Sequence, residues 1–149
     1  MAMASGLYVP AFRDALDTSN IVVDFLLDTN KVDLYLDAKT PNFDTDASYD
    51  ATNEVATATG YTRDNMTVAS TTANTATWAS AAGILKYTWT GTVVWAAPST
   101  FTARGMIIHA AAGNFPLVAV TFGSDFTCTA GTFTITPNAS GIFTIDMVP

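Results

Sequence analysis

Residues 123–147 read GSDFTCTAGTFTITPNASGIFTIDM, and through most of this stretch a threonine alternates with an aromatic or aliphatic residue. A period of two suits an extended strand with one buried face, because successive side chains of a strand point to opposite sides. Threonine fits the other face, since its branched β-carbon favours extended backbone while its hydroxyl stays hydrated. The pattern predicts a three-stranded antiparallel meander. Phe126 and Cys128 face inward, Ala130 and Gly131 turn the chain, and Phe133 and Ile135 return on the same face. A second turn follows at PNASG, and Phe143, Ile145 and Met147 complete the inward set, with the threonines outward.

The remaining segments extend the same architecture. YVPAFRDALDT, residues 8–18, places Pro10 where a first helical turn tolerates it and spaces Phe12, Ala15 and Leu16 as a helix would. Residues 21–27 fit either a strand or a continuation of that helix, and Asp28, Thr29 and Asn30 are turn-prone. Val32, Leu34 and Leu36 then alternate with Asp33 and Tyr35, which predicts a strand with one polar face. Residues 39–54 are aperiodic and rich in Pro, Asn, Asp and Ser, as in a surface loop. From there to residue 82 the chain is Thr, Ala, Ser and Asn with few anchors (Val55, Tyr61, Met66, Val68, Trp78), which fits short exposed strands or a long excursion. LKYTWTGTVVWAA reads as a strand pair with Tyr87 and Trp89 on one face, and FTARGMIIHAA and FPLVAVTFG read as buried strands. Short strands, frequent turns and one helix predict an all-β fold. The expected form is a single β-sandwich, jelly-roll or immunoglobulin-like, over residues 21–149, preceded by an N-terminal arm and short helix over residues 1–20.

Composition narrows the function classes. Charged residues make up 13% of the 149 and hydrophobic residues 49%, with mean hydropathy +0.27. That charged share is about half the usual one, yet no apolar run approaches the roughly 20 residues of a membrane span. Such a chain commonly hides part of its surface in an assembly. A net charge of −7 with only six Lys and Arg argues against nucleic acid, whose phosphates require clustered cations. The single cysteine, Cys128, permits no internal disulfide, and the N-terminal stretch lacks the basic and apolar regions of a secretion signal. Release by lysis or inside a particle is the expected exit.

No catalytic, metal or cofactor site is expected. His109, the only histidine, follows the apolar run GMII and has no identifiable nucleophile or orienting partner, so it reads as a strand-end residue. Cys128 reads as a small buried hydrophobe. Asp44, Asp46, Ser48 and Asp50 share the spacing of the first half of a calcium loop, but Tyr49 stands where the sharp turn needs glycine and Val55 where the bidentate Glu belongs. A solvated acidic loop fits better. Zinc-ligand pairs and phosphate- or dinucleotide-binding glycine loops are absent from the sequence. Trp78, Trp89, Trp95, Tyr61 and Tyr87 would suit sugar stacking if exposed, though core and interface packing is the commoner use.

TNEVATATGYTRDNMTV, VVWAAPSTFTARGMIIH and PLVAVTFGSDFTCTAGTFTITPNASGIFTI together resemble a family of small structural proteins of tailed bacteriophages, described as minor capsid, head decoration or head fibre proteins. The shared features fall on Asp28 to Leu34, Asn53 to Thr62, Trp95 with Phe101 to Arg104, and Phe122 to Phe143; the SYD insertion and RGMIIHAAAGNFP depart from the pattern. The resemblance implies a non-enzymatic β-sandwich on the outer surface of the virion's icosahedral capsid. Its partners would be the major capsid protein and further copies of itself in a homotrimer, with no nucleic acid, membrane or cofactor. The alternatives are a tail or fibre component and a host-surface glycan-binding protein. Met1, Met3, Leu7, Tyr8 and Val9 are the expected partner interface, because these apolar residues precede the helix without an evident core to fill.

Overall fold

One long antiparallel hairpin organises the computed structural model, which describes residues 2–16, 24–26, 29–68 and 76–148. Its arms are β5 (Val93–His109) and β6 (Pro116–Ile135). A short strand β1 (Gly6–Leu7) pairs with β6, and β2 (Lys31–Tyr35) pairs with β5, giving a four-stranded sheet in the order β1-β6-β5-β2. A second antiparallel sheet runs β3-β4-β7, from β3 (Ala76–Ala81), β4 (Ile84–Trp89) and β7 (Phe143–Asp146). With α1 (Val9–Leu16) the one helix among the described residues, this is the expected all-β, sandwich-like architecture.

The predicted meander is corrected. Ala130 and Gly131 do not reverse the chain, because β5 is long enough to pair with the whole of 116–135. Ala130, at φ 50°, sits instead where the register slips between Ser99↔Gly131 and Phe101↔Cys128, so the local irregularity is absorbed as a bulge. The second turn does form, closed by Gly141 N–H donating to Asn138 O (2.8 Å), but it delivers β7 to β4 rather than to β6. The two strands read in LKYTWTGTVVWAA exist, yet β4 and β5 belong to different sheets.

The core joins both sheets. Trp95, Tyr35, Tyr61, Tyr87, Leu34 and Ile108 are fully buried, and aliphatic side chains in such positions contribute about 1.5–3 kcal/mol each. Around Phe25 an aromatic cluster forms with Trp78 at 5.7 Å, Tyr87 at 5.8 Å and Phe143 at 6.2 Å. Residues 17–23 and 27–28 lie outside the described residues, so the reading of 21–27 is met only at Asp24–Leu26, where Phe25 and Leu26 lie in a turn.

The N-terminal stretch has a core to fill, contrary to expectation. Met3 is 4% and Tyr8 1% exposed. Tyr8 N–H donates to Leu117 O and Val9 N–H to Phe43 O, tying the start of α1 to the sandwich. Met3 lies over Gly105, where an added Cβ would fall 2.8 Å from Met3 Cγ and 2.6 Å from Val120 O. Residues 3–12 are therefore part of the sandwich rather than an arm apart from it. Of the proposed interface residues, Met3 and Tyr8 are internal, Leu7 is half-buried, Val9 is 51% exposed, and Met1 lies outside the described residues.

Candidate functional site

The alternation of β2 does give one polar face, and that face is covered: Asp33 and Tyr35 are each 1% exposed. The covering comes from residues 39–68, the aperiodic excursion, which folds back along the outer edge of β2. Val32 N–H donates to Met66 O, Val55 N–H to Leu34 O and Leu36 N–H to Asn53 O, all at 2.8–2.9 Å, and the amide of Leu34 reaches the Tyr61 hydroxyl at 3.0 Å. An edge strand is thereby satisfied by its own chain.

Charged groups are trapped beneath this cover. The register Lys31↔His109 and Asp33↔Ile107 puts Asp33 and His109 on one face as diagonal cross-strand neighbours. His109 Nε2 lies 2.8 Å from Asp33 Oδ2 and 3.3 Å from Asp64 Oδ1. Asp64 sits in a tight turn at φ 51°, a conformation aspartate tolerates, and its amide donates to Asp33 Oδ1 at 3.1 Å. Tyr49 stacks on the imidazole, ring centroids 4.7 Å apart, and His109 Nδ1 faces Ala110 O at 3.3 Å. Asp33, Asp64 and His109 are the one group of potential metal ligands that converges among the described residues.

Glu54 is the neighbouring buried carboxylate. It accepts from the hydroxyls of Tyr49 and Tyr61, and the Arg63 guanidinium lies 3.9 Å away. Burial pushes its carboxyl up from the ordinary value and Asp33 adds to this, while the two hydroxyls and Arg63 pull it down. Burial likewise raises the phenols of Tyr35, Tyr49 and Tyr61. Towards solvent, a cavity of about 200 Å³ is lined by Tyr8, Tyr35, Lys39, Tyr49, Asp50 and His109. There Lys39 Nζ, 2.8 Å from Asp50 Oδ2, holds the Asp50 carboxyl down at about 2.

The predicted site residues distribute as follows. His109 ends β5 as a buried strand-end residue, and among the described residues no hydroxyl or thiol nucleophile is paired with it. Cys128 is a buried free thiol. Asp44, Asp46, Ser48 and Asp50 do not converge: Asp46 accepts from the Asn42 amide, and Asp50 is occupied by Lys39 and the Thr52 amide. Tyr61, Tyr87, Trp89 and Trp95 are buried and Trp78 packs within the Phe25 cluster, so these rings form no exposed sugar platform. Asp33, Glu54 and Asp64 were missed as site residues, since nothing local in sequence marks residues that meet only through β2–β5 pairing and the returning excursion.

A second feature lies at the opposite edge of the same sheet. β1 covers β6 only at Val118 and Ala119, so beyond residue 119 the outer edge of β6 has no strand partner among the described residues. Thr127, Thr129, Thr132 and Thr134 are exposed along it. Phe122, Phe126 and Phe133 gather on this ribbon, centroids 6.0 Å apart for the first pair and 6.4 Å for Phe122 and Phe133, with Phe126 49% exposed.

No protein-family model, no curated protein and no solved structure matches the chain.

Proposed function

We propose that this chain is a non-enzymatic structural protein of a tailed-bacteriophage head, a decoration protein that seats on the outside of the icosahedral shell where major capsid subunits meet, as a homotrimer. The observation that carries this reading is the edge of β6 that no strand among the described residues covers, with its phenylalanine cluster. Monomeric proteins blunt long edges with lysine, proline or covering loops, because unpaired backbone groups invite another chain. Here the edge carries threonine hydroxyls, and its charged residue Asp125 is paired with Arg104 at 3.6 Å. A partner strand or loop laid along it would gain main-chain hydrogen bonds and bury the aromatic rings.

The resemblance of Asn53 to Thr62, Phe101 to Arg104 and Phe122 to Phe143 to phage head proteins supplies the identity of the partners. Three tethered protomers, each burying a standard ~800 Å² against neighbours and shell, would hold by avidity. Binding only the assembled shell would stabilise it by mass action without chemistry. The test is co-sedimentation of the purified chain with empty heads built from the phage's own major capsid protein, followed by cryo-electron microscopy. Knobs above capsomer junctions, lost on Phe126→Asp, are the expected result. Recovery only with purified tails would overturn the head assignment in favour of a tail or fibre role.

A further inference from the structure

We infer that Asp33, Asp64 and His109 form a binding site for a divalent first-row cation of the zinc type, which staples the excursion at Asp64 to β2 and to the end of β5. The contact between His109 Nε2 and Asp33 Oδ2 is the starting point. The two atoms are 2.8 Å apart, yet neither makes a hydrogen bond, because the oxygen lies off the line along which an Nε2–H would point. Both side chains are 1% exposed, so water does not relieve them. Two buried polar atoms in contact without a shared proton are costly unless a third species binds both.

A cation on the Nε2 lone-pair axis accounts for the arrangement. With metal–ligand distances of about 2.1 Å, atoms 2.8 and 3.3 Å from Nε2 would subtend about 85° and about 105° at the ion, the first near the right angle of an octahedral site and the second near the tetrahedral angle. The remaining donors of these residues are already engaged. Nδ1 faces the Ala110 carbonyl, the usual partner that presents Nε2 to a metal, and Asp33 Oδ1 accepts from the Asp64 amide, which leaves Oδ2 for the ion. Two carboxylates and a neutral imidazole balance a charge of +2, whereas the same two carboxylates with an imidazolium and no ion would leave the cluster negative. One nitrogen with two carboxylate oxygens suits zinc and its neighbours better than calcium or magnesium, which take all-oxygen sets. The Asp64 side chain is 51% exposed, giving the ion an entry and room for water in its open positions.

The test uses the untagged full chain, stripped with chelator and titrated with Zn²⁺ by calorimetry, and with Co²⁺ by visible absorption. One equivalent should bind, and the melting temperature should rise with zinc concentration. Asp64→Asn, at a half-exposed position, should weaken binding by about tenfold or more and abolish the thermal shift; Asp44→Asn, in the acidic loop, should change neither. Because His109 is the sole histidine, a variant-free readout is also available. Saturating zinc should shift the Nε2 resonance of its ring in ¹⁵N spectra while Nδ1 stays protonated. No zinc binding, equal affinity in Asp64→Asn, or an unmoved Nε2 resonance would each overturn the assignment.

Discussion

β2 and the distal half of β6 are both outer strands of one sheet, and the chain treats them oppositely. Along β2, residues 53–68 return as a cap that supplies backbone carbonyls and the Tyr61 hydroxyl to the outward amides, and that hydroxyl in turn donates to the buried Glu54 carboxylate. Along β6 the Ser5 hydroxyl still accepts from the Thr121 amide at 2.8 Å, but beyond residue 119 no strand among the described residues pairs with it, and it shows threonines and half-exposed phenylalanines instead. Capping costs chain length and buries Asp33, Glu54 and His109, whose desolvation must be offset by hydrogen bonds and ion pairing. The β6 edge carries no such burden, and in the proposed function a neighbour covers it. On the proposed function one edge serves internal stability and the other assembly, so damage to each should appear in a different experiment.

The largest effect is expected at the cap's tightest approach. Gly60 has φ 78°, and an added Cβ would lie 2.7 Å from Ser99 Cα and 2.8 Å from Pro98 O. Gly60→Ala should therefore cost about 3 kcal/mol by chemical denaturation, from left-handed strain plus backbone overlap. Tyr61→Phe comes next. It removes the hydroxyl that serves the Leu34 amide and Glu54 together, leaving both buried, and should cost about 2 kcal/mol in the same assay.

pH separates the two carboxylates of the capped region. Glu54 has a folded value above its ordinary 4.5, so its contribution is full below about 4.5 and is lost as pH rises through the folded value. Asp50 has a folded value of about 2 against an ordinary 3.8, so its contribution is full above about 3.8 and is lost as pH falls through 2. In chelator, stability against pH should thus rise from pH 2 to 4 through Asp50 and decline above 4.5 through Glu54. Glu54→Gln should flatten the upper limb and Asp50→Asn the lower. The Asp50 side chain is 54% exposed, so solvent screening keeps its share under about 1 kcal/mol.

The open edge should behave in reverse. Phe126→Asp is expected to change the isolated chain by no more than about 0.5 kcal/mol, while abolishing self-association in light scattering and attachment to heads. Smallest of all is Thr127→Ala, which breaks the exposed Thr102–Thr127 hydroxyl contact of 2.8 Å and should cost under about 0.5 kcal/mol. A Thr127→Ala loss as large as that of Tyr61→Phe would erase the contrast between the edges.

Much of the fold was legible because it rests on local period and turn chemistry. Pro10 with Phe12 and Ala15 marks the helix, Val32 to Tyr35 marks a strand, and the Asn138–Gly141 turn forms where its residues demand it. Long-range competition decided the rest. Ala130–Gly131 has turn chemistry, but pairing with Val93–Trp95 and Ser99–Ala103 keeps the chain extended through it. The alternation at Asp33 and Tyr35 gives the correct face but not its solvent, since an aperiodic loop is what covers it. The Asp33–Asp64–His109 cluster joins residues at least 31 positions apart, a separation no spacing motif encodes.

The most direct test of the two-edge account is amide hydrogen exchange on the free chain and on the chain bound to heads. Residues 32–36 should be protected in both states, while the outward amides of 122–135 should exchange rapidly when free and become protected on assembly. Edge amides of β6 that are already slow in the free monomer, or that stay fast on the head, would contradict it.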